Sequence, residues 1–384
     1  MTEPSCIRTR LLHSALLTDA HGERPDGWVR FDGAVIAATG TGPAPDAEER
    51  IDLGGARLTP GFIDLHAHGG GGHAFDDGGE HVSHGLAVHR AHGTTRSVVS
   101  LVANPLDVLC DRLAEVAELT RTDPLVLGTH LEGPFLAPSR HGAHRADHVR
   151  TPDPASVDAL LTAAAGTLRQ ITIAPELPGA DAATDAFTAA GVAVAVGHTE
   201  ADHDTARRAF DRGARILTHA CNAMPGIHHR APGPVPAALA DDRVVLEVIL
   251  DGHHVHDAVA RMLFAAAPGR IALITDAMAA AGAPDGAYRL GDLDVEVVQG
   301  RATVRGTDTL AGSTLTLDAA LRHAVGRLGL SWPDAVAAVT AAPARALGID
   351  DRFGLFAPGH AADAVALDAD GRVTAVWAAG ERLR

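Results

Sequence analysis

The sequence contains no lysine; all 32 basic residues are arginine. This absence removes whole classes of chemistry. There is no amine for a Schiff base, no lysine to complete a nucleotide-binding P-loop, and no lysine carbamate to bridge two metal ions. A two-metal site would have to share an aspartate or glutamate. Cysteine is almost as scarce. Cys6, Cys110 and Cys221 are odd in number and scattered, with no C-x-x-C, so no disulfide framework follows and a reducing compartment suits the chain. Aromatic residues are only 3% of a chain that is 46% hydrophobic, which leaves Ala, Val, Leu and Ile to build the core. No apolar run approaches the ~18 residues of a membrane-spanning helix. The N-terminus lacks the basic, apolar and small-residue succession of a secretory leader. Positive charge is in deficit: the net charge is −16, which argues against non-specific nucleic-acid binding. The expectation is a soluble cytoplasmic protein with neither nucleic acid nor membrane as partner. An anionic ligand would need a local Arg/His cluster and backbone amides.

What the chain does have is length and rhythm. Its 384 residues suit a barrel of about 250 residues plus a smaller domain. Residues 1–58 carry short alternating runs broken by Gly, Pro and Asp: 7–12, 27–31, 34–37 and 49–53. Residues 355–384 read alike, at 364–367 and 373–377. Together the two ends predict one small β-sandwich domain. Between them, over 59–354, apolar strands alternate with helical segments. The strands are read at 62–65, 94–102, 125–132, 171–176, 192–198, 216–219, 244–251 and 271–276. Helices are read at 80–92, 105–121, 152–165, 202–212 and 256–267. Eight such units spell an α/β fold, a (β/α)8 TIM-like barrel. The turn-rich stretch 284–310 interrupts the rhythm and predicts a hairpin, 293–297 with 302–304.

The chemistry collects where these strands end. Strand one closes on His66-Ala67-His68, and residues i and i+2 of a strand face the same way. Both imidazoles therefore enter one space, and neutral imidazole is the commonest metal ligand. Glu132 ends strand three, His198 strand five, His219 strand six and Asp276 strand eight. In a (β/α)8 barrel the C-terminal strand ends converge on the active site, and a His/carboxylate set suits zinc or ferrous iron. A second group surrounds the first: Asn222-Ala223, Arg230, Asp251 with His253 and His254, and Leu310-Ala311-Gly312 before a helix. A guanidinium, imidazoles and backbone amides near a helix start suit an anion such as a sugar phosphate. Leu136–His148 is read as a loop over the site, with Ala143 and His144 in reach of substrate. His141, His148, His228 and His229 read as solvated or outlying residues. Gly69–Gly72 lacks the G-K-[ST] ending of a phosphate loop and reads as backbone packed beside the metal.

Taken together, these motifs resemble the amidohydrolase superfamily and, within it, the family of N-acetylglucosamine-6-phosphate deacetylases. The resemblance rests on Pro60-Gly-Phe-Ile-Asp-Leu-His-Ala-His68, His130-Leu-Glu-Gly-Pro-Phe135, Gly142-Ala-His144, Gly197-His-Thr199, Thr218-His-Ala-Cys-Asn-Ala-Met-Pro225, Asp251-Gly-His-His-Val255, Thr275-Asp-Ala277 and Leu310-Ala-Gly-Ser313. Gly359-His-Ala-Ala-Asp363 resembles the superfamily's return into the small domain. The resemblance spans nearly the whole chain.

It implies that Glu132, His198 and His219 hold a main divalent metal. His66, His68 and Asp276 would hold a second, with Glu132 bridging. Zinc is the first expectation; iron, manganese or cobalt also suit the ligands. It implies substrate contacts at Ala143, His144, Asn222, Ala223, Arg230, Asp251, His254, Leu310, Ala311 and Gly312, with His254 rather than His253 reaching the ligand. The implied reaction is hydrolysis of the acetamide of a phosphorylated N-acetyl amino sugar, with metal-activated water as nucleophile and Asp276 as general base and acid. The galactosamine epimer, another amide, or an inactive scaffold barrel are the alternatives. A homodimer is the implied assembly.

Overall fold

The computed structural model describes residues 9–384; Cys6 and the first two residues of the run read at 7–12 lie outside the described residues. Eight parallel strands pair in sequence order: Phe62–Ala67, Thr94–Val102, Val126–Glu132, Leu168–Ile173, Ala193–Val196, Ile216–Leu217, Val245–Ile249 and Ile271–Ile274. The chain after the eighth strand returns to the first. The Asp276 amide donates to the His66 carbonyl at 2.8 Å and the His68 amide to the Ala277 carbonyl at 2.7 Å, which closes the barrel. Because helices cover a parallel barrel outside and side chains fill it inside, its strands need apolar residues on both faces. Phe62–Ala67 and Thr94–Val102 are accordingly buried along their whole length.

Five of the strands are shorter at their C-terminal ends than the sequence suggests. The runs read to Glu176, His198, His219, Asp251 and Asp276 leave the ladder at Ile173, Val196, Leu217, Ile249 and Ile274. At three of these ends the backbone itself gives the reason: His198, His219 and Asp276 sit at φ 47°, 26° and 48°, a left-handed region that no extended ladder accommodates.

Helices Glu80–Ala91, Leu106–Thr122, Pro154–Ala164, His203–Asp211 and Asp257–Ala266 lie where periodicity puts them. In Leu106–Thr122 the inward stripe is Leu109, Leu113, Val116 and Ala117, the i, i+4, i+7 spacing of an amphipathic helix. Asp153 and Asp202 cap their helices by accepting the Ser156 and Thr205 amides. Ala180–Ala189 and Ala341–Leu347, built largely from alanine, are two further helices.

The chain ends share one eight-stranded sheet. Its order is Glu381–Arg382, Val373–Ala378, Ala364–Leu367, Arg57–Pro60, Thr9–Asp19, Gly22–Asp32 and Val35–Thr41, with Glu49–Asp52 on Thr9–Asp19. The long strand Thr9–Asp19 pairs with Gly22–Asp32 on one edge and serves two neighbours on the other. Its first half pairs with Glu49–Asp52 and its second with Arg57–Leu58, the two halves separated at Ser14, where φ is 56°. Leu12, Leu17, Val29, Phe31, Leu58 and Trp377 form its own apolar core. The excursion read as a hairpin is a three-stranded meander, Gly286–Leu290, Leu293–Val298 and Arg301–Val304. Its first strand is mostly exposed and so lacks the alternation that reveals the other two. Among the described residues no helix is long and apolar enough to cross a membrane.

Candidate metal centre and active-site cavity

Barrel strand one delivers His66 and His68 side by side, with their Nε2 atoms 3.0 Å apart. Strand three delivers Glu132 between them and the opposite wall. Glu132 Oε1 lies 3.0 Å from both His198 Nε2 and His219 Nε2; Oε2 lies 3.1 Å from His68 Nε2 and 3.3 Å from His144 Nε2. Asp276 Oδ1 lies 3.3 Å from His68 Nε2 and 3.5 Å from His66 Nε2. Two overlapping groups result, His66–His68–Glu132–Asp276 and Glu132–His198–His219. Each can offer its donor atoms within 4.8 Å of one another, and every member is buried.

This donor set fits a divalent cation. His198 Nδ1 stands 2.8 Å from the Arg140 carbonyl, which can only accept, so Nδ1 carries a proton and Nε2 is the nitrogen turned to Glu132. Electrostatics ask for positive charge at the same place. Burial alone would push the Glu132 carboxyl up, but His66, His144 and His198 around it hold it well below the usual range. Asp276 is lowered too, against burial, by His66 and His68. His68 is pushed up to about 9, since its bonds to Asp276 and Glu132 outweigh burial. Both carboxyls are thus anionic at neutral pH, and protons gather where a cation would neutralise them.

His144 behaves differently. Burial pushes it down to about 4 despite Glu132, and its Nδ1 accepts the Ala103 amide at 3.1 Å. It is a neutral imidazole whose proton sits on Nε2, pointing at the centre.

These groups form the floor of a cavity of about 450 Å³. Ala143, His144, Asn222, Ala223, His254, Leu310 and Gly312 line it. Asp251 stands behind His254: its Oδ2 is 2.7 Å from His254 Nδ1, and its Oδ1 accepts the His253 and His254 amides at 2.8 and 2.9 Å. His253 itself is exposed. Ala311 is buried behind the wall. Arg230 lies on the exposed run 226–231, outside the cavity lining. His141, read as solvated, lines the cavity because its Nδ1 is turned to the His144 carbonyl at 2.7 Å.

Residues 57–383 match the amidohydrolase family. The chain belongs to that family. It is 38% identical to an N-acetylgalactosamine-6-phosphate deacetylase of Escherichia coli O157:H7, over 97% of this chain and 99% of that protein. It is 37% identical to an N-acetylglucosamine-6-phosphate deacetylase of Bos taurus, over 87% and 85%. An Asp-to-Ala mutant of the N-acetyl-D-glucosamine-6-phosphate deacetylase of Mycobacterium smegmatis, solved with N-acetyl-D-glucosamine-6-phosphate, superposes with a TM-score of 0.93 at 43% identity, covering 98% of this chain and 99% of that one. The Pasteurella multocida N-acetylglucosamine-6-phosphate deacetylase gives 0.93 at 29% identity, covering 97% and 99%.

The structure of this amidohydrolase also reveals supporting residues that sequence reasoning missed. Glu247, wholly buried inside the barrel, places Oε2 3.4 Å from His66 Nδ1 and accepts Gln170 Nε2 on Oε1 at 2.7 Å. Asp64 accepts the Thr275 hydroxyl at 2.7 Å, which ties strand one to the residue before Asp276. His130 is held between the Ser100 and Thr172 hydroxyls at 3.0 and 2.9 Å. The signal was available: an acid inside the apolar run 244–250 is a buried carboxylate that needs a partner.

Proposed function

We propose that the chain hydrolyses the N-acetyl group of N-acetylglucosamine 6-phosphate, releasing acetate and glucosamine 6-phosphate. The observation that carries this is the convergence of four imidazoles and two carboxylates, from five barrel strands or the turns just after them, at one end of the barrel. Glu132, His198 and His219 would hold one divalent ion, zinc by their chemistry, and His66, His68 and Asp276 a second, with Glu132 shared. A cation bound there supplies Lewis acidity, bringing a water's pKa towards about 7 and polarising the acetamide carbonyl.

The protein's own groups do the rest. Asp276, anionic and at the floor, accepts the proton of the attacking water and passes it to the departing nitrogen. His144, neutral with its proton on Nε2, donates to the carbonyl oxygen as negative charge develops there. Asp251 takes the Nδ1 side of His254 and leaves Nε2 for the phosphate. Arg230 is proposed as a second phosphate contact from its place after Asn222-Ala223 in the sequence. Binding energy from the phosphate end serves to orient the acetamide.

A second reading keeps the chemistry and changes the epimer. The relative matched over almost its whole length acts, by its name, on N-acetylgalactosamine 6-phosphate. A cytoplasmic homodimer is proposed on family resemblance alone. The test is acetate release by metal-replete protein from both epimers, each with and without the 6-phosphate. Faster release from the phosphorylated glucosamine sugar supports the first reading, and from the phosphorylated galactosamine sugar the second. Release indifferent to phosphate would overturn the anion assignment. His254→Ala and Arg230→Ala should each raise KM for phosphorylated sugar far more than for its neutral analogue.

A further inference from the structure

Barrel strand five stops at Val196, and Gly197 leads directly into His198 at φ 47°. A non-glycine residue in that region costs of order 1–3 kcal/mol and persists only where its surroundings enforce it. Two carboxylates that do not line the cavity enforce the turn. Glu176, just beyond strand four, accepts the Thr199 hydroxyl at 2.5 Å and the Glu200 amide at 2.6 Å. Glu200 accepts Arg140 Nε at 2.7 Å, Arg140 Nη2 at 3.1 Å and the Ser139 hydroxyl at 3.0 Å.

Ser139 and Arg140 belong to the 136–148 segment that roofs the cavity, and this roof holds His198 twice. The Arg140 carbonyl takes the ring Nδ1 proton at 2.8 Å, and the Ala137 amide donates to the His198 carbonyl at 2.9 Å. The same segment carries His144, whose Nε2 stands 3.3 Å from Glu132. A carbonyl behind a ligating imidazole fixes its tautomer and ring orientation, and losing such a partner typically lowers metal affinity. Here that carbonyl sits on a loop pinned at the surface by one bidentate ion pair.

We propose that Glu200 is a positioning residue: by clamping Arg140 it sets the Arg140 carbonyl against His198, so that roof order and metal affinity at Glu132–His198–His219 are coupled. The inference rests on the metal reading above and adds to it. Exposed ion pairs contribute little to stability on their own, so breaking this one should leave the fold intact while shifting the metal equilibrium. Coupling is reciprocal: a cation held by His198 should quiet the roof.

The experiment uses the full chain, stripped with chelator and titrated with Zn2+ or Co2+ in competition with a calibrated chelator. Wild type is compared with Glu200→Gln and with Asp211→Asn, which breaks an exposed ion pair to Arg243 at the opposite end of the barrel. Amide exchange over 137–144 is followed with and without metal. The expected result is a 3- to 10-fold weaker Kd and faster metal release in Glu200→Gln, below the roughly 10- to 100-fold of losing an outer partner outright. Asp211→Asn should change neither. Metal should slow roof exchange in wild type and do so less in Glu200→Gln. Arg140→Met should weaken binding similarly, and the double variant no further. Unchanged metal Kd and release in Glu200→Gln, or a wild-type roof indifferent to metal, overturns the coupling while leaving the proposed function standing. Failure of the wild type to take up either metal overturns the metal reading and the coupling together.

Discussion

The Nε2 atoms of His198 and His219 stand 3.0 Å apart, and each stands 3.0 Å from one carboxylate oxygen, Oε1 of Glu132. His198 carries a proton on the far nitrogen, so Nε2 is the nitrogen left to act as a ligand beside the Glu132 oxygen in a buried cluster. A shared cation satisfies that arrangement. Glu132→Gln removes the charge that both candidate groups use. Since loss of an outer partner already lowers metal affinity roughly 10- to 100-fold, loss of a carboxylate proposed to be shared by two ions is expected to lower it more than about 100-fold. Elemental analysis after dialysis against a mild chelator checks this. A Gln variant that keeps its full metal content would show that Glu132 is no ligand.

A substitution at Asp276 separates its two proposed roles, metal ligand and proton carrier. The Asp276→Asn side chain still offers an oxygen near His66 and His68 but cannot take a proton. Turnover should fall by about 10²–10⁴-fold, the usual range for a positioned acid–base group, while substrate affinity changes little. Single-turnover acetate release alongside equilibrium substrate binding separates the two. Equal losses in both would make Asp276 a binding group only.

Much of this centre was legible because a parallel barrel translates order in sequence into position in space. His66-x-His68 faces one way by strand geometry alone, and the acids and imidazoles ending the other strands had to meet it. The left-handed turns at His198, His219 and Asp276 were not legible, because periodicity stops at the strand and says nothing of φ beyond it. Glu247 stands out as an acid within an apolar run, but that run marks a strand without marking which partner the carboxylate would meet. Glu200 and Arg140 are distant in sequence, and neither residue type is rare enough to announce a pair. The first strand of the meander escaped because Gly286–Leu290 faces solvent on most of its length.

Asp251 supplies a pH prediction. Burial would raise its carboxyl, but the hydrogen bond and charge of His254 and the two amides hold it down at about 2, against an ordinary 3.8. A carboxyl lowered in the folded state contributes stability that is full above its unfolded value and lost as pH falls towards the folded one. The window is therefore about pH 4 down to pH 2. At neutral pH Asp251→Asn should cost ~2 kcal/mol, from 1.36 kcal/mol per unit. The gap to wild type should close on acidification through that window. Urea denaturation of metal-free protein at several pH values measures it. A gap that stays constant from pH 6 to pH 2 would mean that the Asp251 charge contributes no stability.

The barrel and the terminal sheet meet at Arg96 and Asp363. Asp363 Oδ2 accepts Arg96 Nε at 2.7 Å and Oδ1 accepts Nη2 at 3.0 Å; Oδ1 also takes the Ala379 amide at 2.7 Å. Arg96 Nη1 donates to the Pro124 carbonyl at 2.6 Å. Both side chains are 7% exposed or less. Asp363→Ala leaves a guanidinium in the interior with half its partners gone, and breaking such a pair costs about 3–5 kcal/mol. Replacing both members at once, Arg96→Met with Asp363→Leu, removes the stranded charge. It should recover a large part of that loss, because well-packed apolar residues commonly match a buried ion pair in stability. Denaturant midpoints for the two single variants and the double variant decide the matter. A double variant as unstable as the sum of the singles would mean that the hydrogen bonds Arg96–Pro124 within the barrel and Asp363–Ala379 within the terminal sheet, rather than the charge pair, account for the loss. The candidate metal centre lies at the other end of strand two from Arg96, so metal content in the folded fraction should stay at the wild-type level in all three.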